Sequence, residues 1–232
     1  MQAAQFVEQL ESQNEALFRA SELQVKSYFD SKPSKAELID HFKGRMVNER
    51  MNLIEISAQI AAAPADADTT ELNLLAKQAQ DEAKHFRMVK NVIEHLSGEP
   101  CDVASAVEEH STQLNTKGAA LIKKYGADKN PVMLALYQLV AEGRAARNWK
   151  MMSECIDDSF IASTYAKIAK DEKFHASIGR HQLIKLCEDP VAQQQILEVA
   201  DAMRKDLFLI TCAKSGMNAE SKAIMENAYG KL

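Results

Sequence analysis

Signals that stop a helix are few in this sequence, and they fall in clusters. All five prolines lie in short polar stretches: SKPSK at 31–35, APADADTT at 63–70, SGEP at 97–100, KKYGADKNP at 123–131 and EDP at 188–190. Between these stretches apolar residues recur at steps of three and four, the period of a helix with one buried face. The intervening residues are largely Ala, Leu, Glu, Lys, Gln and Met, which lose little side-chain freedom on entering a helix. The chain is therefore predicted to be all-α.

Six or seven helices follow from the breakers. Strong periodicity predicts helices at 4–29, 35–62, about 70–95, 131–155 and 160–187. Ser34 is placed to cap the second and Thr69 or Thr70 the third. The stretch 101–130 is less strongly patterned and carries one further helix as a crossover, and residues 191–212 and 218–229 are helical segments expected to pack outside the rest. The second and third helices then form one antiparallel hairpin and the fourth and fifth another, joined by IDDS at 156–159. Two hairpins joined by a long crossover is the connectivity of one group of four-helix bundles. The expected architecture is a single domain over residues 1–232, a four-helix bundle with extra N- and C-terminal helices.

Charge and cysteine usage narrow the function classes. A net charge of −5 and a pI near 5.7 argue against an extended basic groove for nucleic acid or an anionic membrane surface. No apolar run is long enough for a membrane span, and acidic residues stand near the N-terminus where a secretory signal has a basic start, so a cytoplasmic location is expected. Cys101, Cys155, Cys187 and Cys212 lie far apart, without a C-x-x-C pair, and read as ordinary buried thiols.

The chemistry is carried by a repeated motif. Asp81-Glu82-Ala83-Lys84-His85 and Asp171-Glu172-Lys173-Phe174-His175 both read D-E-x-x-H. On a helix, Glu and His three residues apart share a face and can reach one metal site. With 20 Glu, 13 Asp and 6 His in the chain, independence gives roughly 0.5 chance matches to E-x-x-H but only about 0.03 to the longer form. Two copies are hard to attribute to chance.

A bundle site also needs a carboxylate from the helix antiparallel to each motif helix, at the same height. Glu49 and Glu82 are equidistant from the middle of the APADAD turn, and Glu142 and Glu172 from the middle of IDDS, so each pair folds back level. Glu55, the competitor for Glu49, would sit about 9 Å nearer the turn at ~1.5 Å per residue. The neighbours on these faces are apolar and small: Leu139, Ala145 and Ala146 beside Glu142, and Ile168, Ala169 and Ala176 beside Glu172. Burying carboxylates among them is costly unless cations compensate.

The order Glu49, Glu82-x-x-His85, Glu142, Glu172-x-x-His175, over residues 35–187, resembles the ferritin-like di-iron carboxylate superfamily. The resemblance, and not spacing alone, makes these six a ligand set. It implies that Glu82 and Glu172 bridge or flank two metals, that His85 and His175 bind one each, and that Glu49 and Glu142 are terminal. Asp81 and Asp171 would hold a ligand imidazole from the opposite hairpin. Two iron ions (Fe2+/Fe3+) are the expected cofactor; manganese or a mixed Mn/Fe pair stays open.

Other residues receive blander readings. His41 and His181 read as surface or capping histidines, Tyr137, Tyr165 and Trp149 as core aromatics, and Met46, Met88, Met133, Met151 and Met152 as core filler. Small residues near the ligands, Gly143, Ala145, Ala146 and Gly179, leave space for a substrate, with the terminal helices roofing an apolar channel.

The chain lacks the paired C-x-x-C of rubrerythrin-like peroxidases. It is similar in size, and in its two E-x-x-H motifs, to aldehyde-deformylating oxygenases, and its DEAKHF stretch resembles tRNA hydroxylases and N-oxygenases of the superfamily. The expected activity is oxygenation of a small organic substrate, with electrons from an external reductase or ferredoxin-type donor; a homodimer is compatible with it. The alternatives are iron oxidation or peroxide scavenging, and a metal-free helical interaction module.

Overall fold

A computed structural model describes residues 1–112, 118–213 and 215–232. Every regular element among them is helical. In order these are α1 (Ala3–Asp30), α2 (Lys35–Ala61), α3 (Thr69–Ser97), α4 (Val103–His110), α5 (Gly118–Lys124), α6 (Pro131–Tyr137), a π-helical segment (Gln138–Glu142), α7 (Gly143–Cys155), α8 (Ser159–Leu186), α9 (Pro190–Cys212) and α10 (Ala219–Tyr229). No helix of the described residues is long and apolar enough to cross a membrane.

Capping accounts for the helix ends. Ser34 opens α2 with a capping box: its Oγ accepts from Glu37 N at 3.3 Å while Ser34 N donates to Glu37 Oε2 at 2.7 Å. At α3 the cap is Asp68, whose carboxylate accepts from Thr70 N at 2.7 Å, in place of the expected threonine. Its ionised carboxylate also complements the positive end of the helix dipole. Asp158 caps α8 in the same way, accepting from Phe160 N at 2.9 Å, and Gly98 ends α3 at φ 80°. The predicted helix at 131–155 is interrupted by the π segment, which periodicity does not reveal.

The chain divides into two compact units: residues 33–119, and residues 1–32 with 120–232. In the smaller unit α2 and α3 pack as an antiparallel hairpin, with Ile56, Leu75 and Ala79 clustered between them near the turn. In the larger, α7 and α8 form a second hairpin, and α1 lies along both. The helices expected to pack outside contribute to the core of this unit: Leu207 and Phe208 of α9 and Met225 of α10 belong to one buried core with Leu136 and Val140, and with Leu10 and Leu17 of α1. Tyr229 fastens α10 to α1 by accepting from Leu17 N at 3.1 Å. Of the cysteines, Cys187 and Cys212 are buried, and burial pushes their thiols up to about 11 and about 12, whereas Cys101 and Cys155 are partly exposed.

Gly179 allows a close helix approach in the larger unit. A Cβ there would lie 2.6 Å from both Ala135 O and Leu139 N, which are backbone atoms that cannot swing aside. We expect Gly179→Ala to destabilise the protein by about 1–3 kcal/mol through overpacking, read as a lowered Tm; an unchanged Tm would show that the helices separate freely.

Candidate metal site

In the smaller unit the register of the hairpin is visible in its apolar cluster. Ile56 and Leu75 pack together, and seven residues further from the turn on each helix stand Glu49 and Glu82. Two helical turns on both sides, about 10 Å at ~1.5 Å per residue, keep the glutamates level. Both are buried, at 1% and 0% exposure, and His85, one turn along α3, is also at 0%. Glu49, Glu82 and His85 each present a ligand atom, all within 4.8 Å of one another, and His85 Nδ1 lies 3.6 Å from Glu49 Oε2. Glu55 is only half-buried and is not in this group.

The larger unit repeats the arrangement. The rings of Trp149 and Tyr165 lie 5.5 Å apart between α7 and α8. Seven residues further from the turn on each helix stand Glu142 and Glu172. Glu142 is the last residue of the π segment, Glu172 is 2% exposed and His175 is fully buried. Ligand atoms of Glu142, Glu172 and His175 again lie within 4.8 Å of one another, with His175 Nδ1 3.0 Å from Glu172 Oε2. π-Helical insertions recur at functional sites, where the extra residue re-aims a side chain.

Each triad suits a first-row divalent ion. Two donors about 2.1 Å from one ion stand about 3.0–3.4 Å apart in octahedral or tetrahedral geometry, close to the His175–Glu172 spacing and slightly inside the His85–Glu49 one. Two carboxylates and one imidazole carry enough negative charge to hold a cation and leave coordination positions open. The bland alternative for His175 and Glu172 is an ordinary i,i+3 hydrogen bond. It does not explain why Glu142 is buried beside them.

The remaining candidates are placed as follows. Asp81 is buried and forms ion pairs with Lys77 and, at 4.0 Å, with Lys84 of the same helix. Asp171 is half-buried. His181 is exposed as expected, but His41 is buried at 8%, packed edge-on against Phe42, and is not a surface histidine. Arg45, one turn before Glu49 and 9% exposed, was not anticipated; the i,i+4 spacing of His41, Arg45 and Glu49 is the sequence signal for this buried polar column. Tyr137, Tyr165 and Trp149 are core aromatics.

Of the small residues expected to leave space, Gly143 and Ala146 line an open groove, whereas Gly179 is closed off by a neighbouring helix. A Cβ on Gly143 would meet the Phe18 ring at 2.7 Å, and Gly179 faces the backbone of 135–139. No family model, curated protein or solved structure matches the chain.

Alanine at Glu142 or His175 should reduce apparent metal affinity about 100-fold or more, beyond the ~10–100-fold typical of losing an outer partner, with the helical signal kept. Glu55→Ala should bind metal as the parent does. Equal metal content in all three variants would remove Glu142 and His175 from the ligand set.

Proposed function

We propose that the chain is a non-haem di-iron oxygenase of the ferritin-like kind, in which the two triads are the halves of one carboxylate-bridged dimetal centre within a four-helix bundle. The observation that carries this reading is repetition: the same buried donor set, two glutamates and a histidine, occurs at the same register in two separate hairpins. A single triad can be an accident of packing. Two, each levelled by a packed pair two turns away, fit a pseudo-symmetric site.

In this reading Glu49, Glu82, His85, Glu142, Glu172 and His175 are the residues that would hold the two ions. Bound as Fe2+, the pair supplies electrons and Lewis acidity for the activation of dioxygen. The protein's part is to keep the donors deprotonated and aligned and to exclude bulk water. Glu142, at 7% exposure, is the most open of the four carboxylates, so its side is where dioxygen and a small organic substrate approach. An external reductase or ferredoxin-type donor returns the electrons.

Anaerobic loading with Fe2+ followed by a single exposure to oxygen tests this. About two iron ions per chain are expected, with one burst of oxygen uptake that stops when the bound iron is spent. Continued uptake with excess Fe2+ and mineral formation, or rapid peroxide turnover, would establish iron handling or peroxide scavenging instead. Well under one metal per chain would leave a metal-free helical module.

A further inference from the structure

The larger unit contains a groove of about 1000 Å3 between α1, α7 and α8 that the metal ligands do not occupy. Its apolar lining is Phe18, Leu139, Ala146, Ala166, Ala169 and Ala176. Ala146 stands one turn after Glu142, and Ala169 and Ala176 stand one turn either side of Glu172, so the groove runs beside the stretches of α7 and α8 that carry these residues, although none of Glu142, Glu172 and His175 lines it. Alanines leave a shallow, smooth floor suited to a narrow aliphatic chain and too low to grip a bulky ring.

The charges of the groove do not cancel. Arg147 is held by Glu22 at 2.5 Å, Arg180 by both oxygens of Glu11 at 3.1 Å, and Lys150 by Glu154 at 3.5 Å. Glu15 also lines the groove and reaches Arg147 at 3.5 Å, so five cations face four carboxylates; Lys170 and Lys173, on the α8 wall, form no ion pair among the described residues and carry the excess positive charge. Asn14 also lines the groove. It is 1% exposed, its Oδ1 accepts from Arg204 Nε at 2.8 Å, and its Nδ2 makes no hydrogen bond. A protein seldom leaves a buried amide donor unused, and here the unused donor belongs to a groove residue.

We infer that this groove binds a linear aliphatic carboxylate, its chain along the alanine floor and its head on Lys170 and Lys173, and that this is the substrate class of the oxygenase. The role as substrate rests on the oxygenase reading; the binding does not. The lysine pair selects a carboxylate over the neutral alcohol or aldehyde of the same chain length, because a charge-assisted contact forms only with the anion.

Equilibrium dialysis of radiolabelled decanoate and decanol against the full-length protein tests the site, with metal content measured on the same samples. Decanoate should bind saturably and about tenfold or more tighter than decanol. The double variant Lys170→Glu/Lys173→Glu, both exposed positions, should lose that preference while decanol binding is unchanged. Ala169→Leu, which fills the floor, should weaken both ligands. Unsaturable decanoate binding, or a charge-reversed variant that binds decanoate like the parent, would overturn the assignment whatever the metal content. Saturable, lysine-dependent binding in a protein that takes up no iron would keep the ligand site and remove only its role in oxygenation.

Discussion

Four glutamates with 0–7% exposure cannot stay ionised in a helical interior without compensation, and the local structure around them is arranged by that constraint. Desolvating a carboxylate costs several kcal/mol, and an uncompensated one protonates or drives the helix open. Each unit pairs two such groups with one imidazole, which is too little positive charge even when protonated. In the smaller unit the Arg45 column adds a guanidinium nearby in sequence. In the larger, Arg144 donates to Leu207 O and Thr211 Oγ1, and Arg204 donates to Asn14 and Asp201. Each triad is a group that could hold a metal ion, which would satisfy charge and lone pairs together.

Register transmits this constraint to the fold. In both hairpins a packed pair sits seven residues nearer the turn than the glutamate pair, Ile56 with Leu75 in one and Trp149 with Tyr165 in the other. A slip of one residue on either helix would rotate a glutamate by about 100° and take it out of the buried acid–histidine cluster. The caps at Ser34, Asp68 and Asp158 fix where each helix starts, so the packed pairs and the helix ends specify the same alignment.

Much of this is legible from residue order. Breaker clusters locate the helices because proline and polar turn residues act locally, and the repeated D-E-x-x-H with level partners picks out the six buried donors and prefers Glu49 to Glu55. What cannot be read has a common cause, the dependence on contacts distant in sequence. Gly179 reads as open space, yet the backbone of 135–139 closes it. His41 reads as a surface residue because nothing in its own neighbours announces burial. The terminal helices read as additions, yet Leu10, Leu207 and Met225 are core. Asp68 and Thr69 are both competent caps, and choosing between them depends on a single residue of boundary.

The π segment is the instructive exception, since it breaks the regular period at the position where the site needs an inward carboxylate. Its wider turn loses hydrogen-bond geometry and is retained only where surrounding packing holds it. That packing is on α8: Tyr165 stands seven residues before Glu172 and Gly179 seven after, so the stretch from the π segment through Trp149 is held by α8 on both sides of Glu142. Glycine at 179 lets the backbone of 135–139 come close enough to act as a clamp, and a side chain there would push the π segment away from α8. Glu142 therefore joins an irregular backbone to a rigid frame, a combination that lets one carboxylate move while Glu172 and His175 stay in place. A regular α-helix through 138–142 would be the more stable choice in isolation. Its absence here indicates that the direction of one side chain outweighed the local regularity of the helix.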